Sequence, residues 1–488
     1  MTTKLMMTTL LAALVLAGCA TPPPIDESRL PATPAAWKST ATATPTAIAT
    51  ATATATPTAT VGEARWAVVP PADAEPRGDW WLAFGDPTLN DLIRRSLAGN
   101  TDLQGAAARL AQARALLRNA NADRMPQIGA SAGAARGTTA GQGPVPSTVY
   151  NAGLAASWEV DLSGRLSQAS RAASLDAQSR EALLQSTRLM VQADVAQTYL
   201  ALRFTDQERR LVRDTVTAYR ETLALTQRRY QAGDVAELDL ARVQTEVAAT
   251  EAEAISLDRR RAELENALAV LLGEPASGFK VAEDSALSAL PAIPSGLPSA
   301  MLARRPDVAA AQRSLLAAQA RVGVAQAAWF PSLTLTANGG YASPELSDVF
   351  RWSARAWSVD ALLSLPIFDG GRRKAGVESA TAGLDLAMSS YRQQLLQALR
   401  EVEDALSGLQ TLSQQADVQA QAVQSSARAT ALSDSRYRNG LVSQLDLLDA
   451  RRSELRNRRA ALQVQAAQYQ ATVGLVRALG GGWENRPA

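Results

Sequence analysis

Residues 436–449 read Arg436-Tyr437-Arg438-Asn439-Gly440-Leu441-Val442-Ser443-Gln444-Leu445-Asp446-Leu447-Leu448-Asp449. About 207 residues earlier stands Arg229-Tyr230-Gln231-Ala232-Gly233-Asp234-Val235-Ala236-Glu237-Leu238-Asp239-Leu240, so Arg, Tyr, Gly, Val and the Leu-Asp-Leu triplet recur without a gap. A duplication should carry its other landmarks at nearly the same offset, and it does. Leu272-Gly273 matches Leu479-Gly480, Ser163-Gly164-Arg165 matches Gly370-Gly371-Arg372, and Arg124-Met125-Pro126 precedes Trp329-Phe330-Pro331 by about 205 residues. The chain is one unit written twice, over 62–273 and 299–480, joined by a proline-bearing connector at 274–298 and closed by a tail at 481–488.

Outward from the quoted stretch, the helical pattern is uncommonly long. Arg165 to Ala232 and Arg372 to Asn439 each run 68 residues without a proline. At ~1.5 Å per residue these are rods of roughly 100 Å. In the second, Leu384, Met388, Tyr391, Leu395, Leu399, Val402, Leu406 and Leu409 step by threes and fours, the seam of a coiled coil. Each rod ends at a glycine turn, Gly233 or Gly440, and a shorter helix returns over 236–272 or 443–479.

Before each rod the period changes to two. Tyr150, Leu154, Trp158, Val160 and Leu162 oppose Asn151, Ser157, Glu159 and Asp161. Leu333, Leu335, Ala337 and Tyr341 oppose Ser332, Thr334, Thr336 and Asn338, while Trp357, Val359, Ala361, Leu363 and Leu365 oppose Ser358, Asp360 and Ser364. This predicts strands at about 127–136, 149–162, 332–341 and 354–366, the first too Gly- and Ala-rich to show a face. Their length suits a tilted strand crossing a bilayer. For alternation alone, a soluble half-buried sheet is the commoner reading.

Composition removes other classes. There is no histidine and one cysteine, so His- or Cys-based metal sites, Ser-His-Asp triads and Cys-His dyads are excluded, and neither an enzyme nor a cofactor is expected. The 49 basic and 47 acidic residues are interspersed, giving +2 and no nucleic-acid footprint. The one cysteine ends Leu16-Ala17-Gly18-Cys19 after the Lys4 n-region and the apolar run from Leu5. This predicts a signal peptide over 1–18 and a lipid on Cys19. Residues 19–61 then read as the lipidated N-terminus and an Ala/Thr/Pro-rich tether with too little bulky apolar surface to pack. No later run is long and apolar enough for a transmembrane helix, so any spanning must be done by strands.

Four strands cannot close a barrel, and open edges in lipid leave backbone groups unpaired at several kcal/mol apiece, so several copies must share one barrel. The residues alone leave a dimer and a trimer open. The lipobox, Trp80-Trp81-Leu82-Ala83-Phe84-Gly85-Asp86-Pro87, Phe368-Asp369-Gly370-Gly371-Arg372 and the closing Leu479-Gly480 together resemble the TolC-like outer-membrane efflux factors of the NodT lipoprotein branch. The resemblance spans nearly the whole chain except the tether. It implies a mainly α chain with a membrane β-barrel portion: a homotrimer sharing a 12-stranded barrel, continued by a coiled-coil periplasmic tunnel. It also implies an outer-membrane location and two partners, a periplasmic adaptor and an inner-membrane transporter.

The resemblance further implies a closed periplasmic entrance at the glycine turns, with Gly233 and Gly440 in the adaptor-docking hairpins. It makes Asp446 and Asp449 a pore-facing acidic pair, and Tyr437 and Asp239 partners in a link holding neighbouring hairpins shut. Val442 and Leu238 stand where some members carry arginine and threonine, leaving fewer polar contacts. Independently, two acids three apart share a helix face, and threefold symmetry would crowd six carboxylates around one axis. The plainer reading is two first-turn acids favoured by the helix dipole. The functions in play are passive small-molecule export, protein export in a type I secretion system, and a non-conducting coiled-coil lipoprotein scaffold.

Overall fold

The computed structural model describes residues 23–26, 28, 30–31, 34, 37–38, 78–138, 146–284, 290–291 and 304–481. Cys19 and its signal peptide lie outside these. In chain order the elements are α1 (Pro87–Gly99), α2 (Thr101–Ala122), β1 (Gln127–Gly137), β2 (Ser147–Val160), α3 (Arg165–Gln231), α4 (Glu237–Leu272), α5 (Pro306–Ala327), β3 (Ser332–Ser343), β4 (Arg355–Ser364), α6 (Arg372–Arg438) and α7 (Gln444–Ala478).

Two compact units result, each taking segments from both sequence repeats: 1–31, 107–183 and 309–394 in one, and 32–106, 184–308 and 395–488 in the other. The repeats are therefore not the compact units, because their strands and helices are interleaved.

The first unit holds a four-stranded antiparallel sheet in the order β1-β2-β3-β4. Its registers align the alternation across strands. Val160, Leu333 and Leu363 share one rung, Trp158, Leu335 and Ala361 the next but one, and Leu154, Gly339 and Trp357 a third. Between them lie polar rungs such as Ser157, Thr336 and Asp360. One face is thus largely apolar, and Trp357, Val359 and Leu363 on it are all exposed. β1, which shows no face by sequence, pairs along its full length with β2 from Gln127↔Ser157 to Gly137↔Ser147. Backbone pairing needs no side-chain alternation. β2 and β4 stop at Val160 and Ser364, short of Leu162 and Leu365; after β4 stands Pro366, which has no N–H to extend a ladder.

At each exit from the sheet an aspartate starts a rod. Asp161 accepts from the backbone of Leu166 (3.0 Å) and Ser167 (2.8 Å), and Asp369 from Gly371 (3.0 Å) and Arg373 (3.1 Å), so both carboxylates satisfy orphan N–H groups of a first turn. Each rod is 67 residues long.

The second unit carries the main core. Asp86 caps α1, accepting from Thr88 (2.8 Å) and Leu89 (3.1 Å), with Pro87 at the first position. Its other oxygen takes the Tyr199 hydroxyl at 2.6 Å. This fixes the Trp80–Phe84 turn, whose Trp80, Trp81 and Phe84 pack with Leu89, Ile93, Leu202, Leu268 and Tyr469. Gly273 and Gly480, the glycines of the repeated Leu-Gly landmark, adopt φ +74° and +83°, the left-handed conformation that ends each return helix.

Two stretches outside the repeats carry packing that their composition does not show. In the connector at 274–298, Phe279 and Val281 are buried in the core, and the Arg203 guanidinium donates to the Ala282 carbonyl at 2.9 Å. Proline density hid two apolar residues at strand spacing. Within 19–61, Trp37 is buried against Val402, Leu475 and Leu479, and the Lys38 backbone N–H donates to Glu403 at 2.6 Å. Residues 39–61 lie outside the described ones.

Candidate functional site: the hairpin turns

Both hairpins of the second unit turn by one device. Gly233 and Gly440 have φ of +82° and +71°, and each donates its N–H to the carbonyl of a tyrosine three residues back, Tyr230 or Tyr437, at 3.0 Å. The next N–H reaches back five residues, Asp234 to Arg229 at 2.8 Å and Leu441 to Arg436 at 2.9 Å. This is the Schellman pattern, which requires a residue at positive φ and so selects glycine. The glycine of the recurring Arg-Tyr-x-x-Gly is thereby explained as backbone geometry.

Beyond the second turn, Ser443 and Asp446 form a capping box. The Ser443 hydroxyl accepts from the Asp446 N–H at 3.2 Å, and the Asp446 carboxylate accepts from the Ser443 N–H at 3.1 Å. Asp449 pairs with Arg452 at 3.1 Å. The Leu-Asp-Leu-Leu-Asp run splits by burial: Leu447 and Leu448 are buried, with Leu448 against Tyr219, Val243 and Val247, while Asp446 and Asp449 stay exposed. The two acids do share an outer face, and each already serves its own helix.

Tyr437 and Asp239 are not joined to each other within the chain. Tyr437 is buried under the Arg229 guanidinium, 5.0 Å above its ring, and its hydroxyl faces Gln444 Oε1 at 3.5 Å. Asp239 pairs with Arg242 at 3.6 Å. The two hairpins are tied by residues that sequence reasoning missed. Gln444 Nε2 donates to Thr226 Oγ1 at 2.9 Å, both groups being buried. Arg451 donates to the Ala218 carbonyl at 3.1 Å and to the Thr222 hydroxyl, and holds Asp434 at 2.9 Å. Arg452 pairs with Glu246. A signal existed: Gln444 and Arg451 are three and four residues from Leu447 and share its inward side, so polar groups there needed partners.

The profile of the family described as "Outer membrane efflux protein" matches residues 92–274 and 297–481. The chain belongs to that family. The two matched ranges fall on the two halves of the duplication. Among relatives, the chain is 33% identical over 486 residues to the pyoverdine export outer membrane protein OpmQ of Pseudomonas aeruginosa, covering 97% of this chain and 96% of the relative. It is 31% identical to the cation efflux system protein CusC of Escherichia coli, covering 85% and 90%. The solved structure of the outer-membrane channel OprN superposes with a TM-score of 0.82 at 32% identity, over 95% of this chain and all of that one. A CusC structure does so with 0.75 at 29%, over 85% and 97%.

The protein is an outer-membrane efflux channel whose barrel is not closed by one chain. The scaffold and protein-secretion readings are not favoured.

Proposed function

We propose that this chain is the outer-membrane duct of a tripartite pump. Three copies pool their four-stranded sheets into one barrel, and their rods continue it as a periplasmic tunnel anchored by a lipid on Cys19. The observation that carries the proposal is the sheet: an exposed apolar face in register across β2, β3 and β4, with both edge strands bare of partners among the described residues. A bare edge is untenable in lipid until another copy covers it.

Transport through such a duct is passive, with energy supplied by an inner-membrane transporter reached through a periplasmic adaptor that docks at Gly233 and Gly440. It makes and breaks no bonds of its cargo and needs no cofactor. The relatives' names, which include pyoverdine, solvent, toluene, antibiotic and cation export, support small molecules as cargo.

At the closed end, Asp446 and Asp449 of three copies form an acidic ring that draws cations and repels anions, and Tyr437 with Asp239 links neighbouring hairpins. Single-channel recording in planar bilayers tests both. Asp446→Ala with Asp449→Ala abolishes cation selectivity, and Tyr437→Phe with Asp239→Ala raises open probability several-fold. Unchanged selectivity removes the ring, and unchanged gating removes the link.

A further inference from the structure

Three sides of α7 are taken by helices of its own chain. Gln444, Arg451 and Arg459 reach α3, at Thr226 (2.9 Å), the Ala218 carbonyl (3.1 Å) and Glu208 (2.8 Å). Leu448 packs on Val243 and Val247 of α4, and Arg452 and Arg459 pair there with Glu246 and Glu253. Toward α6, the Ala450 carbonyl accepts from Thr430 at 3.1 Å and the Asn457 carbonyl from Gln419 at 3.0 Å.

The fourth side is exposed in steps of seven, at Asp449, Arg456, Gln463, Gln470 and Arg477. A seven-residue step keeps one direction along a coiled coil, and a seam between helices is built from apolar residues at that step. Every residue of this stripe is polar or charged, so water suits it better than a neighbouring helix.

Asp446 and Asp449 begin this side at the tip. Arg456 faces the way Asp449 faces, seven residues or ~10 Å further along the axis. The other charges nearby are already paired: Arg452 with Glu246 and Asp449, Arg459 with Glu208 and Glu253. These surroundings are acidic in sum. Arg456 makes no ion pair and no hydrogen bond among the described residues.

We propose that Arg456 lines the lumen, so that three copies set a basic ring ~10 Å inside the acidic one and determine how strongly the closed end prefers cations. This rests on the reading of Asp446 and Asp449 as pore-facing. The guanidinium ring offsets part of the acids' field without reversing it. At 0.1 M salt the spacing matches the Debye length of ~10 Å, so both rings act on one ion; at 1 M that length is ~3 Å and they act separately.

Reversal potentials of the full-length channel in planar bilayers, under a potassium chloride gradient, measure the effect. Arg456→Gln is expected to raise the potassium-over-chloride permeability ratio about threefold near 0.1 M salt and to change it little near 1 M. Arg456→Lys keeps the wild-type ratio. A merely structural residue would show no such dependence on charge and salt. Arg456→Cys, modified after assembly, separates charge from folding: a cationic thiosulfonate returns the ratio toward wild type, and an anionic one raises it further. An unchanged ratio in Arg456→Gln, while Asp446→Ala with Asp449→Ala lowers it, overturns the basic ring and leaves the acidic one standing. No change in either variant overturns both. Arg456→Cys that neither reagent modifies in the assembled channel shows the stripe packed on another copy, which also overturns the proposal.

Discussion

Gly340→Val is expected to remove nearly all of the protein from the outer membrane while Gly339→Val leaves its level close to wild type. The two glycines are neighbours in β3 and point to opposite faces of the sheet. At Gly340 a Cβ would fall inside contact of the Ala152 carbonyl and of the Gly153 Cα, both backbone and neither able to swing away. At Gly339 a Cβ meets nothing within 4 Å. Gly153 and Gly340 are directly paired, so the close approach sits at the centre of the one sheet from which the barrel is built. Valine favours strands as such, so intrinsic propensity predicts no loss at either position. Sucrose-gradient fractions and heat-modifiable oligomer on gels read the outcome. Equal levels of the two variants would show that β2 and β3 are not held at this spacing.

The second large effect belongs to the core of the other unit. Arg261→Leu should destabilise the helical body by about 3 to 5 kcal/mol, because it breaks a buried charge network by removing one partner. Arg261 donates to Asp206 at 2.6 Å and to the Val281 carbonyl at 2.7 Å, and pairs with Glu265 at 2.7 Å. Asp206 is buried with one oxygen already lacking a partner, and keeps only Arg209, at 3.1 Å, when Arg261 goes. The Val281 carbonyl loses its donor at the same time, which frees the connector that carries Phe279 and Val281 into the core. Two readouts follow: a lower midpoint in denaturant by circular dichroism, and new proteolytic cleavage within residues 274–284. Arg261→Lys should rescue little, since a single ammonium does not reproduce three directed N–H donations. An unchanged midpoint together with an intact connector would mean the network is energetically neutral.

These two cases mark where the sequence was legible. The duplication, the rods and the alternating strands are written in local periodicity, so Leu333, Leu335, Trp357 and Val359 announce their face within a dozen residues. The repeated Arg-Tyr-x-x-Gly likewise announces a turn, because only glycine relieves the positive φ that Gly233 and Gly440 adopt.

What stayed hidden joins residues far apart in the chain. Gln444 meets Thr226, Arg261 meets Asp206, and Trp37 fills a gap beside Val402 and Leu475, and no spacing rule encodes such partners. The connector was obscured differently. Pro275 and Pro291 dominate its composition, while Phe279 and Val281 are too few to make a pattern. At the hairpin turn a local duty for the acids was in view as first-turn charges, but not the partners they take, since a capping box and an (i, i+3) ion pair use the same residue types as a pore ring.

The account rests on one strand pairing that no single chain can make, between β4 of one copy and β1 of the next. Cysteine placed at Ala132 in β1, combined in turn with cysteines along β4 from Ala356 to Leu363, in protein reconstituted into lipid and then oxidised, measures it directly. The account predicts that a narrow set of these pairs yields a covalent trimer ladder on denaturing gels, reversed by reductant. Monomer across the whole set, from a sample in which the cysteines still react with a small maleimide, would contradict it.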